Sequence, residues 1–251
     1  KIASKLSKKM KTIILTGNIG DIGKSIQNEL ISSGYSVIGI DKDESGSSSQ
    51  IQFDLSLLNS DKSRKQLEKE IADKTKGKEI FALVNNAATQ KLDSLDQLSL
   101  KDFEDSFLTN TFAPLFLTKI LKTSLENSNG HIINIGSVHS KLTKKGFISY
   151  ATSKSALLGL TQSLAIELSP SIKVNMISPA AVDTKMLKES FKNNKDAIQE
   201  LKNFHPSNEI GKPSDISKLV LSILLNDIHF LTGSNIDLTG GIHSKLHDPN
   251  P

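Results

Sequence analysis

Thr12-Ile13-Ile14-Leu15-Thr16-Gly17-Asn18-Ile19-Gly20-Asp21-Ile22-Gly23 is the stretch from which the fold is read. A strand with one wet face alternates apolar and polar residues, and Ile13-Ile14-Leu15 does not alternate. Continuous apolarity in so short a run means burial on both faces, as in a parallel sheet between two helical layers. After the glycines, Ile22, Ile26, Leu30 and Ile31 recur at helical spacing and mark one apolar face. Strand, Gly17, Gly20, Gly23, helix is therefore the order. Glycines allow a tight turn and close approach of backbone N–H groups, and the positive end of the helix dipole favours an anion. The loop predicts a site for a nucleotide pyrophosphate, with packing between strand and helix as its other use.

Working outward, the same two patterns alternate along the chain. Short β-rich runs cover residues 11–16, 35–40, 50–53, 79–85, 130–136, 172–178 and 235–238. Segments of helical spacing cover 22–33, 61–74, 101–125, 150–168 and 214–225. Seven strands with crossover helices give one doubly wound (Rossmann) α/β fold: a seven-stranded parallel sheet with helices on both faces. Residues 11–251 read as a single dinucleotide-binding catalytic domain, with the serines at 45–49 a loop and not a linker. Between 184 and 212 the apolar pattern weakens and Lys185, Lys188, Lys192, Lys195 and Lys202 intervene. That segment reads either as a lid over a substrate or as a solvated surface helix.

Charge and composition narrow the partners. The chain has 251 residues and a net charge of +4, and Lys1, Lys5, Lys8 and Lys9 carry that much by themselves. Residues 1–10 are thus a basic tail (an added remnant, a processed end or an upstream extension), and the remainder is balanced. Arg64 is the only arginine, so forked contacts to guanine or phosphate are hard to build, and no nucleic-acid partner is expected. No run approaches the roughly 18 apolar residues that span a bilayer, so no membrane partner is expected either. Cysteine is absent, which excludes disulfides, thiolate nucleophiles and cysteine-bound zinc. This composition fits a reducing compartment, and a cytoplasmic protein is expected. His243 and His247 have metal-like spacing without a third ligand, so no metal is assigned.

Several polar residues fall where an open α/β sheet binds ligands, at the carboxyl ends of its strands. Asp41 closes the second strand, where a carboxylate can accept the hydroxyls of an adenosine ribose. Asn85-Asn86-Ala87-Ala88 ends the fourth strand and Ser137 follows the fifth. Tyr150 and Lys154 stand four apart, on one face of the next helix, and Asn110 lies on the helix between the fourth and fifth strands.

Taken together these residues resemble the short-chain dehydrogenase/reductase family in its single-domain form, over roughly residues 11–241. Thr16-Gly17 through Gly23 is similar to the family's Thr-Gly-x-x-x-Gly-x-Gly loop, which implies cofactor contacts from Gly17, Asn18, Gly20, Asp21, Ile22 and Gly23. Asp54 and Leu55 resemble its adenine-contacting segment, and Asn86, Ala87 and Ala88 its Asn-Asn-Ala-Gly segment. Asn110, Ser137, Tyr150 and Lys154 stand where the family has its catalytic tetrad. Pro179, Ala180, Val182 and Thr184 resemble the segment that holds the nicotinamide amide, and Leu238-Thr239-Gly240-Gly241 matches the usual C-terminal pattern. The sequence departs from the family at three places: Asp21 stands for the middle glycine of the loop, Ala88 for the glycine after Asn-Asn-Ala, and Ala180 for the glycine after Pro179. A carboxylate beside a pyrophosphate is unfavourable, so the expectation is that Gly20 takes up the turn and Asp21 faces solvent.

The resemblance implies an oxidoreductase that moves a hydride between NAD(H) and a small-molecule carbonyl or secondary alcohol. Tyr150 would be the general acid/base, Ser137 would steady the reacting oxygen, and Lys154 as an ammonium would lower the phenol's pKa and bind the nicotinamide ribose. Asn110 would order a water of the proton relay. Asp41 would repel the 2′-phosphate of NADP(H); Lys42 can offset that repulsion, so NADP(H) is not excluded. Two other readings stay open: an NADPH-dependent 3-ketoacyl thioester reductase, and a non-catalytic nucleotide-binding sensor on the same fold. His139, two residues after Ser137, can line the substrate pocket or be a plain loop residue. The resemblance also implies a homodimer or homotetramer, with helices such as 101–125 and 150–168, whose apolar positions exceed what one side of a sheet needs, packing against their symmetry mates.

Overall fold

The structure, a computed structural model, describes residues 10–246, so the basic tail at 1–9 and His247 lie outside it. Seven strands form one parallel sheet: β1 (Lys11–Thr16), β2 (Ser36–Asp41), β3 (Gln50–Gln52), β4 (Glu79–Asn85), β5 (His131–Ile135), β6 (Lys173–Pro179) and β7 (Asn235–Leu238). Their spatial order is β3-β2-β1-β4-β5-β6-β7. The order reverses direction at β1, whose neighbours are β2 on one side and β4 on the other. Beyond that reversal the crossovers leave in opposite senses and open a crevice above the strand ends.

Burial on both faces of β1 is visible residue by residue. Ile14 packs with Leu67 and Ile71 of α2 (Asp61–Thr75), Leu117 and Leu121 of α4 (Ala113–Asn127), and Ala165 and Leu168 of α5 (Ile148–Leu168). Ile13 and Leu15 point the other way, against Ile26 and Leu30 of α1 (Asp21–Ser32) and Ile216, Val220 and Ile223 of α8 (Pro213–Asn226). The two apolar clusters are the two interfaces of a three-layer sandwich.

The segment expected as one helix over 101–125 is broken. α3 (Leu100–Phe107) and α4 are joined by a π-helical segment, Leu108–Phe112, with Asn110 at its centre. The polar stretch after β6 forms two short helices, α6 (Lys185–Ser190) and α7 (Lys195–Phe204), in neither of which any residue is buried. The α5 helix turns one face inward: Lys154, Leu157, Thr161, Ala165 and Leu168 are all buried. Thr161 Oγ1 accepts from Asn134 Nδ2 on β5 at 2.9 Å, which fixes the rotation of α5 against the sheet. Tyr150, one turn before Lys154, is thereby aimed at the end of β5.

Candidate active site

A cleft of about 1410 Å³ opens at the carboxyl ends of β1, β2, β4, β5 and β6, over the point where the strand order reverses. Its floor begins at the glycine loop. Gly17 has φ +67°, and a Cβ there would come within 2.8 Å of Ala87 Cα. A Cβ on Gly23 would meet the Gly17 carbonyl oxygen at 1.9 Å, so the start of α1 can lie against the loop only without one. Gly20 does not absorb the turn: it is the N-cap of α1 at φ −64°, a conformation open to any residue. Gly17 takes that part, because the chain must turn directly beneath Ala87.

Thr16, which the sequence reading left out of the site, ties the loop to the end of β4. Its Oγ1 accepts the N–H groups of Asn86 and Ala87, each at 3.0 Å, while Asn86 Nδ2 donates to the carbonyls of Thr16 and Gly17. Asp41 ties the same loop to β2, its Oδ2 accepting the Ile19 N–H at 3.0 Å and its Oδ1 the Asp43 N–H at 3.2 Å. Asp54 caps the turn that follows β3 through Ser56, and Leu55 and Asp54 both line the cleft. Gly20, Ile22, Ala88, Pro179, Ala180, Val182 and Thr184 line it as well. Asn18 does not. Its side chain is buried against Gly39 and donates to Gln27 Oε1, turned away because glycine at 39 leaves room on that side only.

Asp21 is exposed, as expected of a carboxylate at this place, yet it does not simply face water. Its Oδ2 accepts the backbone N–H of Lys185, the first residue of α6, across the mouth of the cleft.

At the far end of the cleft lie Ser137, Tyr150 and Lys154. Lys154 is 2% exposed, and its Nζ donates to the Ile135 carbonyl at 2.8 Å and stands 5.7 Å from the Tyr150 ring centre. Burial pulls its pKa down to about 7. Burial pushes the Tyr150 phenol up, opposed by hydrogen bonding from Ser137. The expected lowering of the phenol by an adjacent ammonium is thus not the resting arrangement: both groups are held toward their neutral forms, because desolvation penalises either charge alone. Ser137 Oγ also accepts the His139 N–H at 3.2 Å. His139 lines the cleft, stacked on Phe147 with ring centres 4.2 Å apart and edge-on to Tyr150 at 5.8 Å. Burial, aided by Lys144, lowers its pKa to about 4 and keeps the imidazole neutral.

Asn110 does not line the cleft but stands directly behind it, 1% exposed. Its Oδ1 accepts the Thr89 N–H at 2.8 Å, and its Nδ2 donates to the Thr89 carbonyl and to Ser153 Oγ, each at 2.9 Å. Ser153 in turn donates to the Tyr150 carbonyl at 2.8 Å. Ser153 was readable from its place just before Lys154 on the inward face of α5, and Thr89 from its position directly after the Asn-Asn-Ala-Ala run.

The cleft suits a dinucleotide. Gly20 caps α1 with no side chain, leaving the first N–H groups of the helix for an anion, and the glycines keep that floor clear.

The chain's similarities agree with this geometry. The model of the short chain dehydrogenase family matches residues 11–195. The 3-oxoacyl-(acyl-carrier-protein) reductase FabG of Buchnera aphidicola (subsp. Acyrthosiphon pisum) is 29% identical over 245 residues, covering 93% of this chain and 97% of that protein. The acetoacetyl-CoA reductase of an Acinetobacter strain is 26% identical over 93% of this chain and 98% of that one. Among solved structures, the ligand-free aldohexose dehydrogenase of Thermoplasma acidophilum superposes with a TM-score of 0.88 at 25% identity, covering 97% of this chain and 98% of that one. A 4-hydroxyisoleucine dehydrogenase complexed with NADH gives 0.84 at 26% identity, over 94% of this chain and all of that one. With a family model spanning most of its length and a backbone that superposes closely on solved dehydrogenases, this chain belongs to the short-chain dehydrogenases, enzymes of oxidation and reduction.

Proposed function

We propose that this protein reduces a carbonyl, or oxidises the corresponding secondary alcohol, with Tyr150 as general acid/base and NAD(H) as the preferred dinucleotide. The observation that carries the reading is the convergence of Ser137, Tyr150 and Lys154 at the end of a cleft that starts at the glycine loop. When bound, the nicotinamide supplies or accepts the hydride. The Tyr150 hydroxyl gives its proton to the carbonyl oxygen in reduction and takes it back in oxidation. Ser137 Oγ hydrogen-bonds the same oxygen and steadies the charge that develops on it. Lys154, held by the Ile135 carbonyl, stabilises the phenolate when it carries a proton taken from solvent, since each charge favours the other once the proton of Tyr150 has passed to the substrate. Asn110 acts from behind, holding Thr89 on one side and the Tyr150 turn of α5 on the other.

Asp41 supports the NAD(H) preference. Each of its oxygens makes one hydrogen bond and keeps a lone pair for a ribose hydroxyl, whereas a 2′-phosphate would bring like charges together. At an effective dielectric near 20 that costs several kcal/mol at roughly 4 Å. A 26%-identical structural relative carries NADH. Lys42, also on the cleft, opposes the preference in part. Fluorescence titration of both reduced cofactors tests it: NADH should bind tighter, and Asp41→Ala should shrink the gap. Equal or tighter binding of NADPH by the parent overturns the assignment.

The alternative reading, an NADPH-dependent 3-ketoacyl thioester reductase in which Lys42 outweighs Asp41, draws its support from the substrate end. Leu142, Phe147, Met186, Leu187 and Phe191 give an apolar wall for an acyl chain, and Lys144 stands 5.0 Å from the Phe147 ring centre at its rim, where a phosphate-bearing carrier would lie. Both named reductases of the comparison act, by their names, on such thioesters. A panel of acetoacetyl thioesters, simple ketones and aldoses, followed by cofactor absorbance, separates this candidate from other carbonyls. Tight cofactor binding with no turnover on any member would favour a nucleotide sensor. The protein acts as a homodimer or homotetramer in this proposal, with exposed apolar side chains on α4 and α5 as one contact surface.

A further inference from the structure

Asp21 is the first residue of α1, on the glycine-loop lip of the cleft, and Lys185 is the first residue of α6, on the opposite lip. The bond from the Lys185 N–H to Asp21 Oδ2 is 2.6 Å long and joins residues 164 apart in sequence. Lys188, one turn further along α6, is paired with Asp183 at 2.8 Å and also feels the Asp21 charge, both of which favour its ammonium form. The chain just before the helix is held, Val182 being buried and the Asp183 N–H donating to the Gly211 carbonyl at 2.8 Å, but the helix itself is not so held. Its six residues include no buried one, and its N-cap Thr184 satisfies Leu187 locally without reaching across the cleft. A side-chain carboxylate on a free backbone N–H is a charge-assisted bond, stronger than a neutral one.

From this we infer that Asp21 is a positioning residue: it clasps the two lips of the cofactor cleft, holding α6 in place before any ligand arrives. The same bond explains how a carboxylate is tolerated where a diphosphate must pass. The charge is committed to the Lys185 N–H, with the Lys188 ammonium nearby, and does not stand bare against an incoming anion. Glycine at this position leaves α6 without its cross-cleft tie. Asparagine keeps an acceptor oxygen in the same place and removes only the charge.

Hydrogen exchange of the full, cofactor-free chain tests the clasp directly, by mass spectrometry of peptides covering residues 183–194. In Asp21→Gly these amides should exchange about tenfold faster or more, the loss expected for one charge-assisted bond holding a marginal segment. In Asp21→Asn the exchange should lie between that of the parent and that of the glycine variant, since a weaker neutral bond remains, and amides of β1 serve as the control that both variants remain folded. The second arm is NADH release followed by stopped-flow fluorescence, and it rests on the proposed cofactor reading. Release should quicken in Asp21→Gly and return toward the parent rate in Asp21→Asn. Unchanged exchange of α6 in the glycine variant overturns the clasp. So does slower NADH release in both variants, which would make Asp21 a repulsive charge. Failure of the parent to bind NADH would remove the cofactor reading while the exchange arm still decides the clasp.

Discussion

Burial sets the terms on which Tyr150 and Lys154 act. The phenol and the amine each resist ionisation alone, and the proposed mechanism makes one charge the support of the other. Tyr150→Phe keeps the ring against His139 and Phe147 and removes the proton. Turnover should fall about a hundred- to ten-thousand-fold, with cofactor affinity nearly unchanged in a fluorescence titration. Near-normal turnover would remove the assignment. Lys154 carries a second consequence, for stability. Its pKa is about 7 in the folded protein against 10.5 when free. Between those values the unfolded chain binds the proton and the folded chain does not, so stability gained from this group rises with pH across the window. Below about 7 both states are protonated and the full cost of a buried ammonium remains. Lys154→Met should therefore be inactive yet melt higher than the parent at pH 6, by on the order of 5 °C, with the gain shrinking toward pH 10. Scanning calorimetry at the two pH values checks this; a gain that grows with pH contradicts it.

At the scale of the element, the π segment at Leu108–Phe112 is what brings Asn110 inward to reach Thr89 and Ser153 at once. An extra residue in the turn shifts the register of the helix, and such bulges often sit at functional sites. Asn110→Leu should leave the Thr89 N–H without its partner and release Ser153, lowering the unfolding free energy by about 1–3 kcal/mol. Activity should drop more than stability does, because the Tyr150 turn of α5 loses a support; chemical denaturation and initial rates on the same sample separate the two. A variant with full activity would show that Asn110 matters only for packing. The π segment was not legible from sequence. Leu108, Phe112 and Phe116 keep an unbroken helical spacing, and an altered hydrogen-bond register leaves no mark on composition. The strands were legible because Ile13-Ile14-Leu15 and Phe81-Ala82-Leu83-Val84 must be buried on both sides wherever they sit. The loop was legible as a type but not in its parts. Which glycine carries the positive φ depends on Ala87, and the direction of Asn18 depends on Gly39, each a neighbour supplied by another strand. The partner of Asp21 lies on a helix 164 residues away, beyond any local pattern.

For the whole molecule, two of the exposed apolar surfaces among the described residues are candidates for contact with a second copy. One lies on the outer helical layer, where Leu115 of α4 and Ile166 of α5 face solvent, Ile166 at 83% exposure. The other lies at the edge of the sheet. β7 pairs only with β6 among the described strands, so its outer hydrogen-bonding edge is open, and nearby Phe230 is 95% exposed and Ile228 half so. Open edges and large exposed apolar side chains are liabilities that a partner removes. A two-fold axis presents the same patch of each copy to the other, so either surface can serve the proposed homodimer or homotetramer. In a two-fold interface each substitution acts twice, and burying an isoleucine or phenylalanine is worth about 1.5–3 kcal/mol, so one charge at the centre weakens assembly a hundredfold or more. In the proposed homo-oligomer, Ile166→Glu and Phe230→Glu should each lower the sedimentation coefficient at micromolar concentration. The double variant should sediment as a monomer. A parent that is monomeric removes both interfaces, and a tetramer indifferent to Phe230→Glu removes the second.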